Sequence, residues 1–404
     1  MNLRLGMTRQ RPGGQYVHDR PLLKEWTNTY ILGKSRSGKT NFMTYLACHQ
    51  MQDMAVIILD PYGELSRMVA TMADKDRLVY ADILNPLTIN CLQRPYLNKS
   101  ERARELADAI NASVAVNTPG QMDITVKMFR IISEAIGIIR DGDINLQVLS
   151  EFLDSKSTRH KYFKEHGIEM PTYWKEFDSG GQRYEQLRAS AERVADRFFT
   201  LYSNENLADF ILGDDAFDLF KIIKNKNIVV FNLAGMQSDE VFYIGNLITH
   251  AIKTFLVKAP EKNNGLGIYI DEFHLFLTKQ FQNEFTKCLK KNINFVVCHH
   301  DHAQTENSLL NIILGASYLK ACFKCGKEDA KRMASEIDVD VDEIRGISKH
   351  HTFINLDDSV YYVKTFECDI EEYTPPERAR NRPESPERVN FFRNGIIKIR
   401  EASG

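Results

Sequence analysis

The run Gly33-Lys34-Ser35-Arg36-Ser37-Gly38-Lys39-Thr40 has the spacing G-x-x-x-x-G-K-T and directly follows the apolar stretch Tyr30-Ile31-Leu32. Gly33 and Gly38 permit the backbone angles and close approach by which successive N–H groups wrap a phosphate. A helix opening near Thr40, with Phe42 and Leu46 turned inward, adds its positive end. In such a loop Lys39 neutralises the β- and γ-phosphates of ATP, and Thr40 ligates Mg2+ through its hydroxyl. A second element is needed for hydrolysis: a carboxylate in the metal shell and a group that orients or deprotonates water. Gly267-Ile268-Tyr269-Ile270-Asp271-Glu272-Phe273-His274 supplies it: Asp271, at the end of the apolar run, shares the metal with Thr40, and Glu272 beside it is the base or water-orienting residue. A small-molecule kinase has little use for that adjacent glutamate, so the pair favours an ATPase.

Other residues carry weaker signals. Arg193 and Arg197 lie one helical turn apart and so share a helix face. They form either a solvated basic face or an arginine finger that reaches a neighbouring subunit's γ-phosphate. Asp60 ends an apolar run, where an ordinary acid caps the following loop. Cys322 and Cys325, with His299, His300 and His302, make a zinc site on paper, but the two cysteines have opposite parity on a strand and should face opposite sides of a sheet. The aromatic pairs Phe198-Phe199, Tyr361-Tyr362 and Phe391-Phe392 read as core or edge packing rather than base-stacking platforms.

These residues need a scaffold, and the apolar patterning describes one. Thr29–Leu32, Ala55–Asp60, Leu78–Ala81, Ile228–Leu233, Gly267–Asp271, Phe295–Cys298 and Tyr318–Phe323 are short apolar runs separated by helix-length stretches, as in a mostly parallel sheet buried on both faces. The fold class is α/β. Residues 96–215 lack such runs and read as an inserted helical domain, with Ser100 capping a segment and Met128, Ile131, Ile132, Ala135, Ile138 and Ile139 at helical spacing. The expected order is a basic flexible arm over 1–20, the two parts of the α/β domain over 21–95 and 216–368, the helical insertion between them, and an extended tail over 369–404.

The chain has 404 residues, 43% of them hydrophobic and 26% charged, which excludes a mostly disordered chain or a disulfide-stapled miniature. Seven cysteines at scattered positions suit a reducing compartment. No run reaches the ~18–20 apolar residues of a membrane span. With 52 Lys+Arg against 54 Asp+Glu the net charge is −2, so a nucleic-acid partner would have to be held by local surfaces.

In the order and spacing of these pieces the chain resembles the HerA/FtsK superfamily of ring-forming pumping ATPases, especially the TraG-like conjugative coupling proteins. The resemblance runs from the glycine loop through Ile57–Leu65, Leu84–Leu87, Ile228–Leu233, the acidic strand and Asn294–His300 to Phe323–Ala330, and includes the helical insertion. It implies a RecA-like motor domain that binds ATP and Mg2+ and assembles as a homo-oligomeric, hexameric ring around double-stranded DNA in conjugative transfer or virus genome packaging. It also suggests that Asp60 approaches the nucleotide. Two features differ from the pattern. Coupling proteins usually carry an N-terminal membrane anchor, whereas residues 1–26 hold no span, which implies docking on a separate membrane, portal or capsid protein and a cytoplasmic or virion-associated location. Where relatives place a γ-phosphate-sensing glutamine this chain has His300, expected to take over as the donor, with Gln304 four residues on. The alternatives are a secretion-type ATPase that moves protein and a nucleotide-gated scaffold without sustained turnover.

Overall fold

The computed structural model describes residues 2–9, 21–94, 96–117, 125–258, 260, 263–276, 282–366 and 368. Among them the apolar runs become strands: β1 (Leu3–Arg4), β2 (Met7–Thr8), β3 (Leu22–Leu23), β4 (Thr29–Leu32), β5 (Ala55–Asp60), β6 (Leu78–Ala81), β7 (Ile228–Asn232), β8 (Leu266–Ile270), β9 (Ile293–His299), β10 (Leu319–Cys322), β11 (His351–Leu356) and β12 (Ser359–Lys364). Ten of them form one sheet in the order β2-β12-β11-β10-β4-β9-β8-β5-β7-β6. From β10 to β6 every pairing is parallel. Every residue of β4, β5, β8 and β9 is buried, because a central parallel strand is covered on both faces. The chain leaves β4 through the helix Lys39–Gln50 and returns three strands away in β5, and β9 and β10 flank β4 on either side. Ligands of open α/β sheets bind beyond the carboxyl ends of strands at such a reversal.

The antiparallel edge was not foreseen. β10, β11, β12 and β2 alternate in direction, and Asp357 and Asp358, both at positive φ, make the tight turn between β11 and β12. Residues 2–9 also depart from the expected flexible arm. β1 pairs with β3 and β2 with β12, and Leu5 is fully buried. Two apolar residues with a core to enter outweigh the basic composition of the segment. Residues 10–20 and the expected tail over 369–404 lie outside the described residues, as does the pair Phe391-Phe392.

Two compact units divide the described residues: those within 1–85, 218–236 and 252–376 form one, and those within 86–217 and 237–251 the other. The second unit is helical, and its helices start where side chains accept from exposed N–H groups. Thr125, Asn145, Ser155 and Asn204 cap four of them. The helix Lys99–Asn117 is capped by Asn98, not Ser100. Asn98 accepts from the Glu101 N–H at 2.9 Å while Glu101 accepts from the Asn98 N–H at 2.9 Å, a reciprocal capping box. Trp174, Phe152 and Phe177 fill its core, against which Arg159 is held by Asp178 at 2.5 Å. No helix among the described residues is long and apolar enough to cross a membrane.

Candidate nucleotide site

Register brings the site together. In the parallel ladder Leu32 lies opposite His299, Ile270 opposite Val297, and Leu59 opposite Ile270. Asp60, which ends β5, and Gly33, His300 and Asp271, which follow the other three strands, therefore share the carboxyl end of the sheet.

The glycine loop is pinned by its neighbours. The Gly33 N–H donates to the His299 carbonyl, and the Lys34 N–H donates to that of Lys324. A Cβ on Gly33 would lie 2.5 Å from Phe323 Cβ, so only glycine fits there. Gly38 has φ 113° and precedes the first residue of the helix Lys39–Gln50. Lys34, Ser35 and Arg36 are exposed, while Ser37 is buried with no hydrogen bond to its Oγ. Lys39, only 5% exposed, lies back along the loop and donates to the Lys34 carbonyl at 3.1 Å and to His300 Nδ1 at 2.7 Å.

Asp271 and Glu272 follow β8. Glu272 has φ 50° and is 1% exposed, a strained backbone of the kind that functional sites hold. His300 Nε2 stands 2.9 Å from Glu272 Oε1, and His274 Nδ1 stands 3.5 Å from Oε2. Neither carboxylate oxygen accepts a well-directed hydrogen bond, so Glu272 keeps acceptor capacity in a buried place, where such groups are normally satisfied. The Asp271 carboxyl is pushed up to about 7 by burial first and then by the charges of Asp60 and Glu272, with Lys39 opposing. The Glu272 contact raises His300 above the usual 6.5, against burial and Lys39. Because Lys39 donates to Nδ1, the His300 proton belongs on Nε2 in this arrangement. A second proton on the ring would turn Nδ1 toward the Gly33 carbonyl, 3.2 Å away, and release Lys39.

Asp60 does what a strand-end acid ordinarily does. Its Oδ1 accepts from the N–H groups of Tyr62 and Gly63, and its Oδ2 from Ser66, which ties the loop to the helix Glu64–Met72. Its charge still bears on Asp271. The paper zinc site takes another form. β10 ends at Cys322, so strand alternation does not extend to Cys325, and the two buried thiols lie against each other. His299 and His302 both meet the Tyr30 hydroxyl, at 2.6 and 2.9 Å, and His302 Nδ1 stands 3.1 Å from Asp329. Arg193 and Arg197 lie on the helix Glu185–Tyr202 of the helical unit, Arg193 exposed and Arg197 half-buried. Phe198 is core and Phe199 is exposed, while in β12 Tyr362 is buried and Tyr361 half-buried.

Sequence reasoning missed two residues. His274 stands against Glu272, and its only signal was a histidine two positions after that glutamate. Asn41, next to Thr40, donates to the Phe366 carbonyl and accepts from the Cys368 N–H, so the end of the sheet domain is fastened to the first turn of the site helix.

None of the curated protein sequences is significantly similar to this chain. Among solved structures, the unbound bacterial conjugative coupling protein TrwBdeltaN70 superposes with a TM-score of 0.62 at 11% identity, over 86% of this chain and 87% of that one. TrwB in complex with ADP and Mg2+ gives 0.58 at 12% identity over 86% and 87%. VirB4 of Thermoanaerobacter pseudethanolicus gives 0.59 at 15% identity over 91% and 96%. The fold is therefore that of the RecA-like P-loop ATPases. The family model for the central domain of helicase HerA matches residues 29–252, more than half of the sequence, and the chain belongs to that family.

Proposed function

We propose that this protein hydrolyses ATP with Mg2+ and uses the energy, as a hexameric ring, to move double-stranded DNA. One observation carries the ATPase reading: Lys39, Asp271, Glu272 and His300 converge on the carboxyl edge of the sheet, with Glu272 buried and short of donors. The residues fit the nucleotide. The loop from Gly33 to Thr40 cradles the phosphates, with the N–H groups of Gly38, Lys39 and Thr40 at the helix start turned to them; Lys39 neutralises them, and Thr40 and Asp271 hold Mg2+. A bound divalent cation offsets the crowding of Asp60, Asp271 and Glu272 that pushes Asp271 up. Glu272 takes the proton of the attacking water, His300 donates to the γ-phosphate, and Arg193 or Arg197 serves a neighbouring subunit. The DNA reading is supported by membership of the HerA family and by the fold shared with a conjugative coupling protein. A separate membrane, portal or capsid protein completes the machine, in the cytoplasm or at an assembling virion.

The test is turnover on the purified oligomer. Lys39→Ala loses ATP binding, and Glu272→Gln binds ATP without hydrolysing it. Duplex DNA of mixed sequence stimulates the wild type, and the stimulation falls steeply as salt rises because counterions are released on contact. Flat turnover with duplex, single-stranded DNA and RNA at low salt would reject DNA and favour protein as the cargo. Binding without sustained turnover would leave the nucleotide-gated scaffold.

A further inference from the structure

Glu272 is flanked by an imidazole on each oxygen, and the two rings differ in their surroundings. His300, on the Oε1 side, is engaged by Lys39 and faces the glycine loop. His274, on the Oε2 side, belongs to the single helical turn Phe273–Leu275 that follows Glu272 directly. Its Nδ1 is buried and makes no hydrogen bond, and the side chain is 14% exposed. The rest of the site thus gives that nitrogen no task, and it lies 3.5 Å from the carboxylate proposed to act as base. Such contacts are often long without substrate and tighten in the reacting complex.

We propose that His274 is a positioning residue that acts on hydrolysis through Glu272: with Nδ1 unprotonated, its imidazole lies against Oε2 of Glu272 and receives at Nδ1 the proton that Glu272 takes from the attacking water. This rests on the reading of Glu272 as the base. The step balances. The water oxygen bonds to the γ-phosphorus, the bond from that phosphorus to the bridging oxygen breaks, and ADP leaves with the electron pair. The water proton passes to Glu272 and on to His274, which returns it to solvent and restores the carboxylate for the next turnover. The surroundings suit a proton acceptor. Burial first lowers His274, the nearby His300 adds to this, and the Glu272 charge opposes it, so the ring stands neutral at pH 7 with a lone pair to offer. On the neighbouring strand His299 also faces it and is itself kept neutral by burial.

The experiment compares wild type, Glu272→Gln, His274→Asn and His274→Ala in steady-state ATPase assays from pH 5.5 to 9, with binding of a fluorescent ATP analogue to each. His274→Asn is expected to lower kcat about tenfold or more, within the usual range for a proton-transfer group, with KM for ATP changed less than twofold. The fall of wild-type kcat on the acid side should disappear in that variant, and added imidazole should partly restore His274→Ala. Unchanged kcat and an unchanged acid limb in His274→Asn, with Glu272→Gln inactive, overturn the role of His274 alone. An active Glu272→Gln overturns the reading of the base instead. Loss of analogue binding by both His274 variants assigns the residue to folding and also overturns the proposal.

Discussion

His300 occupies the position where a phosphate-sensing donor is expected, and its contacts account for how a histidine can serve. Its Nε2 faces the base and its Nδ1 faces Lys39, so one ring touches both the acidic and the basic partner of the site. Glutamine offers a donor and an acceptor of comparable reach, whereas alanine offers neither. His300→Gln should retain turnover within about tenfold of wild type, and His300→Ala should lose about a hundredfold or more, by the magnitudes typical of such groups. The same ring gives a pH signature. The Glu272 contact raises its pKa, so the charged ring is more stable in the folded chain than in the unfolded one. That contribution is complete below the ordinary 6.5 and is lost as pH rises through the folded value. In nucleotide-free protein, His300→Ala should therefore lower the melting temperature more at pH 6 than at pH 9, which calorimetry over that range will test.

The elements around the loop make it rigid before any nucleotide arrives. β9 and the segment after β10 hold its first two N–H groups, and the His350 N–H donates to the Ser37 carbonyl at 3.0 Å. His350 itself has φ 60°, beside Gly38. Gly33→Ala pushes a methyl into Phe323 Cβ, and overpacking of this kind costs about 1–3 kcal/mol. A melting temperature lower by several degrees, together with weaker ATP binding, is expected. The antiparallel edge makes a comparable claim at the other end of the sheet. Deleting residues 2–9 removes the buried Leu3 and Leu5, at about 1.5–3 kcal/mol for each side chain. The truncated protein should melt markedly earlier and lose turnover only in proportion to its unfolded fraction. Full stability after that deletion would mean that β1 and β2 contribute nothing to the fold.

For the assembled protein, the proposed ring makes each site depend on two subunits. If Arg193 or Arg197 completes a neighbour's site, mixing wild type with the Arg193→Ala, Arg197→Ala double variant should inhibit ATPase more than in proportion to the variant fraction. Specific activity should also rise with protein concentration until assembly is complete. Proportional inhibition and a flat concentration series would describe independent monomers. The near-neutral net charge adds a condition, because DNA contacts must be concentrated on particular surfaces, so binding should be weak for monomers and strong for rings.

Most of the seven parallel strands were legible as continuous apolar runs, because two-sided burial in the middle of a parallel sheet writes that pattern directly into sequence. The glycine loop was legible because few residue types let a backbone wrap a phosphate, and the acidic pair because it ends such a strand. The β11–β12 hairpin was not. Its strands mix polar residues with apolar ones, as His351, Thr352 and Asn355 do in His351–Leu356, and its turn is two aspartates rather than glycine. Leu3 and Leu5 looked like part of a basic arm, since the segment is fastened both by β3, nearby in sequence, and by β12, far along the chain. The environment of the site residues belongs to tertiary structure for the same reason. Sequence places Asp271 and Glu272 side by side, but parallel register brings His300 to Glu272 across 28 positions of chain and Lys39 to His300 across 261. Only that packing raises Asp271, makes Asp60 a loop cap and sets His274 against the second oxygen of Glu272, because burial and charge proximity arise when separate strands end at one edge.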